Sequence, residues 1–188
     1  MAKRIAVLSD THGLLRPEVL TAIDGCDAII HGGDTNKPEI IDRLKEIAPL
    51  FVVRGNNDKE WAEHIPATLT FQIEDCRFFL VHNKKEVPKD LTGIDAVIFG
   101  HSHKYFEQVM DGRLWLNPGS CGKRRFDREI TLAILMVDGS SLSVEKILIQ
   151  PWRAPTTNLP TQKCCVIRYE YPRIFCLLHL AISSKELF

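Results

Sequence analysis

The first sixty or so residues alternate two hydrophobic periods, and that alternation constrains the fold more than anything else in the chain. Arg4–Ser9 is a nearly unbroken apolar run, the pattern of a strand buried on both faces. Pro17–Ile23 follows, with a proline where helices begin. Asp27–His31 is a second run, Pro38–Ile47 sets Ile40, Ile41, Leu44 and Ile47 at helical spacing, and Leu50–Val53 is a third run. This β-α-β-α-β order predicts a parallel sheet with right-handed crossovers, and so an α/β fold.

Beyond residue 67 the pattern becomes strand after strand. Thr68–Ile73 and Arg77–Val81 read as a hairpin across Glu74-Asp75-Cys76, and Asp95–Phe99 as a buried strand. Phe106–Met110 and Arg113–Leu116 flank Asp111-Gly112, a strong hairpin signal. Ile130–Val137 and Leu142–Ile149 make one more pair. Two packed sheets with helices outside are expected. A chain of 188 residues suits a single core. We expect that domain to occupy residues 1–150. Residues 151–188, with Pro151, Pro155, Pro160 and three of the six cysteines, read as a C-terminal extension outside the core.

Charge narrows the function classes. Lys+Arg 24 against Asp+Glu 24 gives no net charge, which argues against a stable nucleic-acid complex or binding to anionic lipid. The apolar run after Arg4 is too short for a signal-peptide core, and Ile174–Ile182, broken by His179, is too short to span a bilayer. No Cys-x-x-Cys pair occurs. A cytoplasmic protein with reduced thiols and no membrane partner is the expectation.

Five polar motifs fall at or just after predicted strand ends: Asp10-Thr11-His12, Gly33-Asp34, Gly55-Asn56-Asn57-Asp58, His82 and Gly100-His101-Ser102-His103. In α/β sheets these ends line the ligand crevice. Extended residues two apart point the same way, so Asp10 with His12, and His101 with His103, can each aim two donors at one place. Taken singly each motif has an ordinary explanation, such as a helix cap at Asp34 or a turn at Gly55-Asn56. Within them Asp10, Asp34, His12, His82, His101, His103 and Asn56 supply two carboxylates, four imidazoles and one carboxamide, enough for two metal ions if one aspartate is shared. An imidazole-rich set suits manganese, iron, zinc, cobalt or nickel, and manganese is the ion expected. Two divalent ions against Asp10 and Asp34 leave a cationic site that attracts a phosphate ester.

The ordered set Asp-x-His, Gly-Asp, Gly-Asn, His, Gly-His-x-His resembles the calcineurin-like metallophosphoesterases. The segment Asn117-Pro118-Gly119-Ser120-Cys121-Gly122 resembles their small prokaryotic phosphodiesterase branch. The resemblance implies a four-layer α-β-β-α sandwich holding two divalent transition-metal ions. One ion takes Asp10, His12, Asp34 and His103; the other shares Asp34 with Asn56, His82 and His101. It implies hydrolysis of phosphodiesters by attack of a metal-bridging hydroxide, with Asp34, Asn56 and His82 as catalytic residues. Asn57 and Arg125, the latter in the basic run Lys123-Arg124-Arg125, are the expected substrate contacts. Two departures stand out. Larger phosphatases of the superfamily have a proton-donating histidine where this chain has Asn57. The small branch commonly shows His-Gly-His where this chain has His82-Asn83-Lys84. The expected partner is a small phosphate ester, and homo-oligomerisation stays open. Two competing readings are a non-catalytic interaction scaffold, as in the retromer subunit of this fold, and a nucleotide pyrophosphohydrolase. Competent donors at all seven ligand positions favour the enzyme.

Overall fold

The computed structural model describes residues 1–124 and 127–150. The expected substrate contact Arg125 and the expected extension 151–188 lie outside the described residues. Ten strands form two five-stranded sheets. The first contains β1 (Lys3–Leu8), β2 (Ala28–His31), β3 (Leu50–Val52), β9 (Thr131–Asp138) and β10 (Ser141–Leu148), in the order β10-β9-β1-β2-β3. The second contains β4 (Thr68–Ile73), β5 (Cys76–Val81), β6 (Ala96–Ile98), β7 (Phe106–Met110) and β8 (Arg113–Asn117), in the order β4-β5-β6-β8-β7.

The predicted parallel start is present: β1 pairs with β2 in the register Val7 to Ile30, and β2 with β3 in the register His31 to Val52. The last hairpin does not extend the second sheet. It returns to the first, where β9 runs antiparallel to β1 and β10 lies at the edge. The Asp111-Gly112 turn has φ of 51° and 72°, the doubly left-handed geometry that this pair favours.

Alternation along β1 explains how the layers assemble. Ile5 and Val7 face the second sheet and pack with Ile30, Phe78, Leu80, Ile98, Leu116 and Leu135. Ala6 and Leu8 face outward and are covered by α1 (Pro17–Ile23) and α2 (Pro38–Lys45) through Val19, Ile23, Ile40 and Leu44. Both helices begin on a proline, whose missing N–H would have no partner there in any case. The outer face of the second sheet is closed more thinly. Phe79, Val81, Val97 and Phe99 lie under Val87, Leu91 and Ile94, from a segment whose one helical element is the 3-10 turn Lys84–Glu86. Among the described residues no helix is long and apolar enough to cross a membrane.

Candidate metal centre

Each polar motif leaves the C-terminal end of a parallel strand: Ser9–His12 after β1, Gly32–Asp34 after β2, Arg54–Asp58 after β3, His82 after β5 and Gly100–His103 after β6. The first two loops prolong the β1–β2 ladder. Asp10 N donates to Gly33 O at 3.0 Å, and His12 N to Asp34 O at 2.9 Å. Gly100 N donates to His82 O at 2.9 Å and joins the last two motifs. The backbone that aims the side chains differs from the extended alternation expected. Asp10, His12, Asp34, His101 and His103 have φ of 55°, 45°, 57°, 66° and 55°. This left-handed region admits Asp, Asn and His more readily than other L-residues. It also splits the second pair: His103 joins Asp10 and His12, whereas His101 lies with Asn56 and His82.

His103 Nε2 is 3.2 Å from Asp10 Oδ1 and 3.0 Å from His12 Nε2. His12 Nε2 is 3.7 Å from both Asp10 Oδ1 and Asp34 Oδ2. On the other side His82 Nε2 is 3.5 Å from Asp34 Oδ2 and 3.1 Å from Asn56 Oδ1, which is 2.9 Å from His101 Nδ1. The ligand atoms of Asp10, His12 and His103 all lie within 4.8 Å of one another, as do those of Asp10, Asp34 and His82. All seven expected ligands therefore meet at one edge of the sandwich, with Asp34 between the two groups. Asp10, His12, Asp34 and His82 are buried, His103 is half-buried, and Asn56 and His101 are exposed.

The donor chemistry fits a cation. His82 Nδ1–H donates to Gly32 O at 2.7 Å, which leaves Nε2, beside Asp34 Oδ2 and Asn56 Oδ1, as the atom that can offer a lone pair to a cation when the ring is neutral. Asp10 Oδ2 accepts from Ser9 Oγ at 2.7 Å and His101 N at 3.1 Å. Asp10 Oδ1 is buried and has no hydrogen-bond partner among the described residues. A buried charged oxygen left this way costs roughly 1–3 kcal/mol or more, a cost that a bound cation removes. Burial opposes ionisation of Asp34, but hydrogen bonds from His82 and Asn57 hold its carboxyl well below the usual carboxylate range. Burial likewise opposes charge on His82, and Asp34, with Asp10 behind it, more than offsets this and raises its pKa. Protons thus compete with metal at His82.

Asn57, the expected substrate contact, is exposed and lies against Asp34. Its backbone N and its Nδ2 donate to Oδ1 and Oδ2 of Asp34 at 2.8 and 2.6 Å, so it braces that carboxylate. Asp58 ties the second and third motifs together. Its buried carboxylate accepts from Asp34 N (2.9 Å), Gly55 N (2.8 Å), Asn36 N (2.6 Å) and Thr35 Oγ1 (3.0 Å). Gly55 must lack a side chain, because a Cβ there would overlap the Asp34 carboxylate. The Asn83-Lys84 departure also has a local cause. Asn83 Oδ1 accepts from Lys85 N at 3.1 Å and caps the 3-10 turn. Lys84 Nζ lies 4.5, 5.1 and 5.3 Å from the ring centroids of Phe106, Trp115 and Phe99.

His31 is a support beneath the first two motifs. Fully buried at the end of β2, its Nδ1 accepts from Gly33 N at 3.2 Å, and its Nε2 lies 3.2 Å from Thr11 Oγ1. Burial drives its pKa down to about 4 from 6.5. The fold thus favours the neutral ring. Its contribution is fully present above the unfolded value and is lost as pH falls from 6.5 toward 4, by about 3 kcal/mol in all. Urea melts of the metal-free protein in EDTA should show that loss, and His31→Gln should flatten the slope in this window. A slope unchanged in His31→Gln would assign the acid sensitivity to other groups.

Comparison with known proteins agrees with the geometry. Residues 4–140 match the calcineurin-like phosphoesterase superfamily domain. A probable metallophosphoesterase of Methanothermobacter thermautotrophicus is 32% identical over 157 residues, covering 76% of this chain and 91% of the relative. The solved structure of an archaeal phosphodiesterase is 26% identical with a TM-score of 0.64, covering 78% of this chain and 99% of that one. Vacuolar protein sorting 29 from Cryptosporidium parvum shares the fold with a TM-score of 0.64 at 17% identity, over 80% of this chain and 99% of its own. The motifs, the two sheets and these matches make the chain a member of the calcineurin-like phosphoesterase superfamily.

Proposed function

We propose that the protein is a phosphodiesterase that depends on two divalent transition-metal ions, with manganese as the expected ion. The observation that carries this reading is the cluster of Asp10 Oδ1, Asp34 Oδ2 and the Nε2 atoms of His12, His82 and His103, at separations of 3.0 to 3.7 Å, around a buried oxygen without a hydrogen-bond partner among the described residues. Asp10, His12, Asp34 and His103 would hold one ion, and Asp34, Asn56, His82 and His101 the other. When bound, the pair would polarise phosphoryl oxygens and supply an activated water. The chain's own residues do the orienting. Gly32 O fixes the His82 tautomer, and Asn57 braces Asp34. The likeness to an archaeal phosphodiesterase supports a diester substrate.

The test is reconstitution with Mn²⁺ after EDTA, then assay on bis(p-nitrophenyl) phosphate. About two equivalents per chain and hydrolysis abolished by chelator are expected. One equivalent or none overturns the two-metal reading. Two bound ions without hydrolysis of any diester or nucleotide pyrophosphate would favour the scaffold. Residues 1–150 suffice for this function, since β10 ends at Leu148 and Ile149 is already buried in the core. A chain ended after Pro151 should melt cooperatively, bind Mn²⁺ and hydrolyse the diester. Aggregation of that chain would make the remainder part of the core.

A further inference from the structure

The segment Asn117–Gly122 follows β8 in the second sheet, and its Ser120 bridges Ile130, next to β9 in the first. It thus crosses between the sheets at the edge where the donors meet. Asn117 is fully buried. Its Nδ2 donates to Gly100 O at 2.7 Å and Ser102 Oγ at 3.1 Å, the two residues flanking His101, the second of which precedes His103. Its Oδ1 accepts from Gly119 N at 2.9 Å, so only one orientation of the amide satisfies all three bonds. The far end of the segment grips the first motif. Ser120 Oγ donates to Asp10 O at 2.9 Å, and Cys121 N donates to Ser9 O at 3.3 Å. Burial pushes the Cys121 thiol up to about 12, so it stays protonated and also donates to Ser9 O, at 3.6 Å. A Cβ on Gly122 would overlap Thr11 O, so the backbones must meet there. Arg16 Nε donates to Gly122 O at 2.9 Å and closes the arrangement.

Resting on the metallophosphoesterase reading, we infer that Asn117 is a positioning residue. Through the Asn117–Gly122 clamp it fixes His103, carried by the second sheet, against Asp10, carried by the first, and so sets the metal affinity of the Asp10–His12–His103 half of the centre. Asp58 holds the opposite half by separate bonds, to the loops of Asp34 and Gly55. The two halves are mounted on different hubs. Loss of the first hub should weaken metal binding without dismantling the second.

The discriminating variant is Asn117→Asp. It retains the acceptor for Gly119 N, so the turn of the segment persists, but it replaces both donors to the fifth motif by oxygen. Free Mn²⁺ is measured by electron paramagnetic resonance during titration, and the melting temperature is measured in EDTA and in excess Mn²⁺. Asn117→Asp should weaken Mn²⁺ binding about 10- to 100-fold, the usual effect of losing a group that orients a ligand, and should shrink the metal-induced rise in melting temperature. Ser120→Ala removes the single bond to Asp10 O and should move the same readouts in the same direction, more weakly. Unaltered Mn²⁺ affinity in folded Asn117→Asp overturns the assignment and leaves the enzyme reading standing. If Asn117→Asp fails to fold, unaltered affinity in Ser120→Ala overturns it. A wild-type chain that takes up no Mn²⁺ overturns both.

Discussion

Asp34→Asn is expected to cost more than any other single substitution, lowering diester hydrolysis by about 10³-fold or more and reducing Mn²⁺ uptake in both halves of the centre. Asp34 Oδ2 stands 3.5 Å from His82 Nε2 and 3.7 Å from His12 Nε2, one ring from each donor group. The substitution isolates charge from conformation. Asparagine tolerates the left-handed backbone at φ 57° as aspartate does, so the loop stays in place. Asp34→Ala would add backbone strain of about 1–2 kcal/mol and blur the comparison. Metal content, the metal-induced rise in melting temperature and rate should fall together in Asp34→Asn. A variant that keeps both ions and hydrolyses within tenfold of wild type would show that Asp34 is not shared.

Turnover should also depend steeply on the leaving group, with aryl diesters cleaved at least about 10²-fold faster than alkyl diesters. A positioned general acid contributes about 10²–10⁴-fold by protonating the departing oxygen. The side chain where larger relatives carry a histidine is Asn57, which has no acidic proton and spends its Nδ2–H on Asp34 at 2.6 Å. Asp58 offers no substitute, because its carboxylate is buried and accepts four hydrogen bonds. The departing oxygen then leaves as an anion or takes its proton from water. Asn57→His adds a donor but removes the brace on Asp34, so any flattening should come with weaker Mn²⁺ binding. Rates across diesters of graded leaving-group pKa, at fixed Mn²⁺, decide the matter. A flat series with chemistry rate-limiting would point to the exposed His101 as the acid.

The parallel half of the fold was legible because Arg4–Ser9, Asp27–His31 and Leu50–Val53 are short, nearly continuous apolar runs with no polar alternation to confuse with helix. The Asp111-Gly112 hairpin was legible because its turn chemistry is local. The return of β9 and β10 to the first sheet was not. Thr131–Asp138 is as apolar as β1, and nothing in its pattern names the neighbour it will pair with. At the site the ligand types and their order could be read from spacing, whereas the grouping came only from the family resemblance. Spacing put His101 and His103 together, whereas left-handed backbone at both sends them to opposite sides. The brace from Asn57 and the clamp from Asn117 are hydrogen bonds between distant loops, and no local pattern encodes them.

The left-handed backbone at Asp10, His12, Asp34, His101 and His103 acts as a filter on ligand chemistry before any ion arrives. Short polar side chains and imidazole enter this conformation readily, while a cysteine or a glutamate there would carry about 1–2 kcal/mol of strain per position. Five of the seven proposed donors are therefore restricted in kind by the loops that carry them, and sulfur ligation is disfavoured at those five. Asn56 and His82 stand in ordinary backbone. They are the positions at which descendants of this chain could exchange a donor cheaply, and so the half of the centre from which a change of metal would begin.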